Sequence, residues 1–309
     1  MYWTLRYANR DIQVSPISTA IGGEGQIYSI NRMRGRSVKS YFDPVPSDTE
    51  PRLEYLIANP PSSIAKQVAW PLDIVETGNC EVKGYLQKHF PPAFQPYTIL
   101  MSSEIRRRWA TATFLHRAAQ QIAFLIAELH ANDYLFPDLH SEQLLVARNG
   151  SVVLIDAASC QFSVNNTLFP CVRIRDQDNH APELLHGINW AEVAPDRNQY
   201  TDAWSLTVLV FLTLMGCHPF DGIHIGPGDG LSRKDRVKQG IFPFEHKPTH
   251  DYRPPKHAQP YRRLSPEIRE FFDRCFVDGH SKDKARLRPT ATEWSDLLRH
   301  SGYSVAPTP

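Results

Sequence analysis

Between Leu135 and Asp156 the chain reads LFPDLHSEQLLVARNGSVVLID, and this stretch constrains the fold more than any other. Asp138 stands in a short loop, Gln143 follows it, and a β-hairpin then delivers a second carboxylate, Asp156. A base, a polar chelating group and an acidic metal ligand are thus gathered in one short segment. That inventory suits phosphoryl transfer from a metal-bound nucleotide, where protein groups mainly position reactants and neutralise charge.

Composition sets the outer limits. The chain has 309 residues, 41% of them hydrophobic, enough for one large core or two lobes, and two lobes are expected. A formal charge of +1 creates no global field, so neither nucleic acid nor a membrane is expected as a partner. The run Arg106-Arg107-Arg108 reads as a solvated helix face. Five cysteines, widely separated and without a CxxC pair or zinc-like spacing, indicate reduced thiols. No apolar run is long enough to span a bilayer and MYWTLRYANRD lacks the order of a signal peptide, so a cytoplasmic protein is expected.

Taken in order, Ile12 to Ile30 predicts two β-runs around Gly22-Gly23-Glu24-Gly25, a hairpin tip at which backbone N–H groups are able to approach a phosphate. The alternation in Ser37 to Phe42 predicts a half-buried strand, and Lys39 on its inner face requires an anion. SDTEPRLEYLIA reads as a capped helix stopped by Pro60-Pro61. Glu54 is its best candidate partner for Lys39, with Glu50 in reserve. Strands over Gln67–Val75 and Glu81–Gln87 bring the sheet to about five. The proline-rich Phe90–Pro96 connects two units, which places the boundary near Lys88.

Beyond it, apolar residues from Phe114 to Leu129 follow the spacing of a long amphipathic helix that aims the Asp138 loop. Tyr200 to Met215 is nearly all apolar after Asp202 and predicts a buried helix. Gly222 to Pro260 reads as surface loops with a short helix over Ser232–Gly240. Ser265–Phe276 and Thr290–Arg299 read as capped helices, and SGYSVAPTP as a flexible tail.

A glycine-tipped hairpin, a strand lysine, a helical glutamate, a loop aspartate and a hairpin aspartate in this order resemble the protein kinase superfamily, over roughly Ser15 to Leu298. The resemblance implies an α+β, bilobal protein kinase-like fold: a small N-lobe over 1–88 with an antiparallel β-sheet and one helix, a larger mainly helical C-lobe over 89–300, and a tail over 301–309. It implies ATP and Mg²⁺ or Mn²⁺ as cofactors and a protein substrate. Gly22 and Gly25 match glycines of the phosphate-covering loop, with Gly23 between them and Ala20 where the first glycine is usual. Lys39 matches the phosphate-contacting lysine and Glu54 its helical ion-pair partner. Asp138 matches the aspartate that deprotonates the acceptor hydroxyl, Gln143 the metal-binding asparagine, and Asp156 the metal-binding aspartate. Ala181-Pro182-Glu183 matches the end of the activation segment, Asp202 the carboxylate bracing the catalytic loop, and Arg288 the partner of Glu183.

IGGEGQIYSI, LIANPP, VAWPLDIV and LIDAASCQF also resemble a bacterial group of kinase-like domains. Members occur alone, fused to helix-hairpin-helix segments, or encoded beside a metal-dependent phosphatase and a von Willebrand A domain protein; such a partner is expected as a separate protein or a missing segment. Several positions depart from the family pattern. Phe136-Pro137 replaces the usual histidine and arginine, so switching through that arginine is not implied. His140 stands for the catalytic-loop lysine, Gln143 for asparagine, and Ala157-Ala158 for the residues after the metal-binding aspartate. Two readings follow: an ATP-dependent Ser/Thr protein kinase with a divergent, weak site, or a pseudokinase that binds nucleotide or a partner as a scaffold.

Overall fold

Side chains alternating between core and solvent shape the first part of the chain. The computed structural model describes residues 1–21, 25–171, 179–185, 194–245 and 250–300. Met1–Phe94 with Val153–Ser159 form one compact unit, and Gln95–Val152 with Cys160–Pro309 a second. In the first unit, β1 (Tyr2–Leu5), β2 (Arg10–Ile21), β3 (Gly25–Ile30), β4 (Arg36–Tyr41), β5 (Pro71–Glu76) and β6 (Val82–Lys88) form an antiparallel closed barrel in the order β1-β2-β3-β4-β6-β5. Trp3, Leu5, Ile12, Val14, Ile30, Val38, Val75 and Leu86 fill one of its cores. Closure comes from β1, which pairs with β2 on one side and with β5 on the other.

The sequence predicts about five strands, and β1 is the one outside that expectation. With two buried side chains, Trp3 and Leu5, its alternation is too short to register as a periodic signal. The start of β5 also differs. Residues near Val68 form a parallel bridge to Leu154, with Ala69 N–H donating to the Leu154 carbonyl at 2.9 Å, and the barrel strand begins at Pro71. Proline lacks the N–H that a ladder interior needs and is tolerated as the first residue of a strand.

Helix α1 (Thr49–Ala58) ends ahead of Pro60-Pro61 and buries Thr49, Arg52, Leu53 and Leu56. The Leu56 carbonyl, an orphan of its last turn, accepts from Trp70 Nε1 at 2.7 Å.

The second unit includes β7 (Phe94–Pro96) from Gln95 onward, α2 (Ser103–Trp109), α3 (Ala112–Ala131), β8 (Leu144–Ala147), the start of β9 (Val152–Leu154), β10 (Phe162–Val164), β11 (Thr167–Phe169), α4 (Gln199–Met215), β12 (Ile223–His224), α5 (Arg233–Gln239), β13 (Tyr252–Arg253), α6 (Pro266–Asp273) and α7 (Ala291–His300). Helix α3 starts where Thr111 accepts from Phe114 N–H, and its apolar stripe from Phe114 to Leu129 is buried. Helix α4 is buried on nearly every side, opened by a capping box of Asn198 with Thr201 and closed by Gly216 at φ 75°. Ser232 caps α5, Ser265 caps α6 as predicted, and Thr290 exchanges hydrogen bonds with Glu293 at the start of α7. After Asp273, α6 continues as a π-helical turn over Arg274–Asp278. The loop-rich region holds one small ladder, β12 with β13. The C-terminal SGYSVAPTP lies outside the described residues.

One expectation is corrected here. Arg106 is not a solvated residue: its guanidinium donates to the carbonyls of Thr213 at 3.0 Å and Leu214 at 3.2 Å, satisfying groups that the end of α4 leaves unpaired. Burial lowers its pKa, opposed by Tyr97 and Cys217. All five cysteines are free thiols, and no described helix is long and apolar enough to cross a membrane.

The strongest polar tie in this unit is Arg288, which is fully buried. It grips Glu183 through two bonds, at 2.7 and 2.8 Å, and donates to the carbonyls of Gly279, Tyr200 and His280. Its guanidinium also packs over Trp204, 5.1 Å from the ring centroid. Arg288→Met leaves a buried carboxylate and three carbonyls without their donor. We expect a loss of about 3–5 kcal/mol in urea unfolding; a loss under about 1 kcal/mol, the range of exposed ion pairs, contradicts the assignment.

Candidate active site

The expected site residues fall into both compact units, and each set is described within its own. In the first, β4 carries Lys39 opposite Tyr85 of β6 and Ile27 of β3. Its side chain is buried and its Nζ pairs with Asp156 Oδ1. Asp156 adopts φ 63°, a left-handed conformation uncommon outside glycine, though Asp is among the residues that tolerate it best. Two bonds hold it there: its carbonyl accepts from Ser159 Oγ at 2.7 Å and from Ser159 N–H at 3.1 Å. The motif residues Ala157 and Ala158 are buried within the short 3-10 turn between them. A strained backbone secured by its neighbours is a recurrent feature of functional sites.

The helical glutamates are placed differently from the sequence expectation. Glu50 and Glu54, four residues apart, share one face of α1, and their side chains are about half exposed. Arg6 takes both, at 2.7 Å to Glu50 and 3.2 Å to Glu54, and also holds Glu76 of β5 at 2.7 Å. The turn that presents Arg6 is pinned by Asp73, which accepts the N–H groups of Tyr7 at 2.9 Å and Ala8 at 3.0 Å. Burial alone lowers the pKa of Arg6, but Glu76 and Glu50 outweigh it and hold the value above the usual one. Among the described residues, Lys39 and Glu54 are therefore not brought together. The physical reason is the helix face: Leu53 and Leu56 claim the buried side, and the glutamates flank it where a guanidinium with five donors can reach them.

Gly22 and Gly23 lie outside the described residues. Gly25 opens β3, and a Cβ built there meets the Ser40 carbonyl oxygen at 2.0 Å, so close strand approach by itself requires glycine at that position.

In the second unit the loop after α3 is built from its anchors. Leu135 exchanges two backbone hydrogen bonds with Gln161, at 2.8 and 2.9 Å. Phe136 and Leu139 are fully buried, one on each side of the Pro137-Asp138 pair. Asp202, in the first turn of α4 and 1% exposed, accepts the Phe136 N–H at 2.6 Å and lies 3.1 Å from His130 Nε2.

Asp138 is itself buried, and two of the expected side chains meet it. Gln143 Nε2 donates to Asp138 Oδ2 at 3.1 Å, which fixes the amide: nitrogen faces the carboxylate. Among the described residues its Oε1 accepts no hydrogen bond. His140 Nδ1 accepts from Glu142 N–H at 3.2 Å, so the ring proton sits on Nε2, 3.4 Å from Asp138 Oδ2. At that distance the pair is close enough for charge interaction but is not aligned as a hydrogen bond. The loop thus presents a buried carboxylate able to accept a hydroxyl proton, an imidazole N–H beside it and an amide oxygen. Sequence reasoning finds these three, but misses Arg6 and Ser159. Nothing in the local pattern marks either one, because their role is defined by residues far away or by backbone geometry.

Asp156, in the first unit, offers carboxylate oxygens, and Gln143, in the second, an amide oxygen; each is a hard donor of the kind that Mg²⁺ and Mn²⁺ take. Among the described residues no cluster of three or more His, Cys, Asp or Glu forms a self-contained metal centre.

No family model matches the chain. Among curated proteins it is similar to Protein kinase YegI of Escherichia coli O157:H7, 26% identical over 287 residues, covering 90% of this chain and 43% of that protein. The YegI of Escherichia coli strain K12 is 25% identical over 283 residues, with the same coverage of 90% and 43%. A probable serine/threonine-protein kinase KIN1 homolog of Encephalitozoon cuniculi is 35% identical over 107 residues, 34% of this chain and 17% of that protein. The chain spans less than half the length of the first two relatives, 43% in each case. The similarity to these two proteins, each named as a protein kinase, extends over 90% of the chain.

Proposed function

We propose that the chain is an ATP-dependent protein kinase that transfers the γ-phosphoryl group to Ser or Thr hydroxyls of a protein substrate, using Mg²⁺ or Mn²⁺. The observation that carries this reading is the buried meeting of Asp138, Gln143 and His140 on a loop braced by Asp202.

Asp138 accepts the proton of the acceptor hydroxyl as its oxygen bonds to the γ-phosphorus and the bond to the β,γ-bridging oxygen breaks, releasing ADP. His140, with its Nε2 proton, stands in for a cationic donor toward the transferred group, and a neutral imidazole is the weaker stabiliser. Lys39 positions nucleotide phosphates. By resemblance, Asp156 and Gln143 would each offer an oxygen ligand to the cation. When bound, the cation neutralises charge on the phosphates. Gly22, Gly23 and Gly25 are assigned to the phosphate-covering turn by resemblance. Glu54 is assigned here to the Arg6 cluster that holds α1, in place of a direct pair with Lys39. The resemblance extends the proposal to a cytoplasmic setting and to separate phosphatase and von Willebrand A domain partners.

One observation favours a second reading, a nucleotide-binding pseudokinase. Both candidate glutamates of α1 are engaged by Arg6, and Lys39 pairs with Asp156.

Transfer of labelled phosphate from ATP separates the two. The native chain is expected to label protein Ser or Thr in the presence of Mg²⁺, and Asp138→Asn to lose about a hundredfold or more of that rate. Binding of Mg·ATP without transfer by the native chain establishes the pseudokinase instead. In thermal-shift measurements, Asp156→Ala is expected to lose the stabilisation by Mg·ATP, whereas Glu54→Gln keeps it because its partner is Arg6. Loss of nucleotide stabilisation in Glu54→Gln contradicts that assignment.

A further inference from the structure

Pro137 occupies the place just before Asp138, and elsewhere in the chain Arg197 supplies a buried guanidinium. Arg197 follows the short turn Ala194–Asp196 and is 5% exposed. Its Nη1 donates to Gln161 Oε1 at 3.0 Å and to the Cys171 carbonyl. These acceptors are the two feet of one hairpin, since Gln161 immediately precedes β10 and Cys171 follows β11. The hairpin turns through Asn165 and Asn166, both at positive φ, and stacks Phe162 on Phe169 at 5.0 Å. One arginine therefore fastens both ends of residues 162–169.

The clamp continues into the catalytic loop. Gln161 also donates through Nε2 to the Ala194 carbonyl at 2.8 Å, and its backbone forms the two-bond bridge to Leu135, three residues before Asp138. Burial lowers the pKa of Arg197, opposed by Cys171 and by the charges of Asp202 and Asp138. Its acceptors include a side-chain amide and a backbone carbonyl, groups present in the unmodified chain.

We propose that Arg197 is a positioning residue that holds the segment after Asp156 and the Asp138 loop in working register without phosphorylation. The catalytic part of this proposal rests on the kinase reading above. Its physical content is that order at residues 160–171 is built in by a buried charge-assisted contact rather than installed by a phosphate.

The test compares three proteins as full chains: native, Arg197→Met and Arg197→Lys, each dephosphorylated and verified by mass. Native protein is expected to keep its transfer rate after dephosphorylation. Arg197→Met is expected to lose about tenfold or more in kcat, with Mg·ATP thermal shift retained and hydrogen exchange accelerated at 160–171 but not within α4. Arg197→Lys, which restores one point charge without the fork, falls between them. Should Arg197→Met fail to fold, Gln161→Ala removes one foot alone and is expected to give the same local exchange pattern. Loss of native activity on dephosphorylation overturns the proposal, as does native kcat and native exchange in the variants. If the native chain transfers no phosphate at all, the kinase reading falls and exchange decides the clamp: acceleration confined to 160–171 upholds it, and unchanged exchange overturns it.

Discussion

One buried carboxylate, Asp202, organises the second unit. It is almost completely enclosed, and a charge in that position is tolerable only because donors converge on it. The Phe136 N–H supplies the shortest of these contacts, His130 at the end of α3 supplies another, and its place in the first turn of α4 sets it against the positive end of a helix dipole. Through Phe136 the loop bearing Asp138 inherits the rigidity of the most buried helix in the molecule. Arg106 and the Asn198 capping box secure the two ends of that helix, so the loop is anchored to an element whose own termini are satisfied. Function on such a loop requires precision of well under an ångström, and a buried helix is a better foundation for it than surface turns.

The first unit solves a parallel problem with different chemistry. Its barrel places Lys39 by strand register, and the left-handed Asp156 is fixed by the backbone and hydroxyl of Ser159. Helix α1 is held from its glutamate face by Arg6, itself oriented by the Asp73 turn. Position of the helix is therefore tied to the first nine residues of the chain and to β5, and not to the charge of Lys39. Three carboxylates around one guanidinium exploit its planar fork, a geometry that an ammonium group does not reproduce.

Much of this was legible in the residues. Helices α3 and α4 announced themselves through apolar spacing and α7 through Thr290 at its start, since caps and periodicity are local signals. Asp138, Gln143 and His140 were readable as candidates because all three lie on one short loop. What was not readable depends on distant partners. Strand β1 is too short to show a period, Arg106 looks like surface charge until the end of α4 is placed beside it, and the competition of Arg6 for Glu54 joins residues 48 apart in the chain. Long-range charge pairing has no sequence period, whereas helices and hairpins do.

The decisive measurement is a map, by mass spectrometry, of where the γ-phosphate of isotopically labelled ATP goes when the native chain is incubated with Mg²⁺ and, separately, with a chelator. The geometry described here predicts label on serine or threonine hydroxyls that appears with the cation and vanishes with the chelator. Absence of labelled hydroxyls in the presence of Mg²⁺ contradicts a phosphoryl-transfer role for the Asp138 loop.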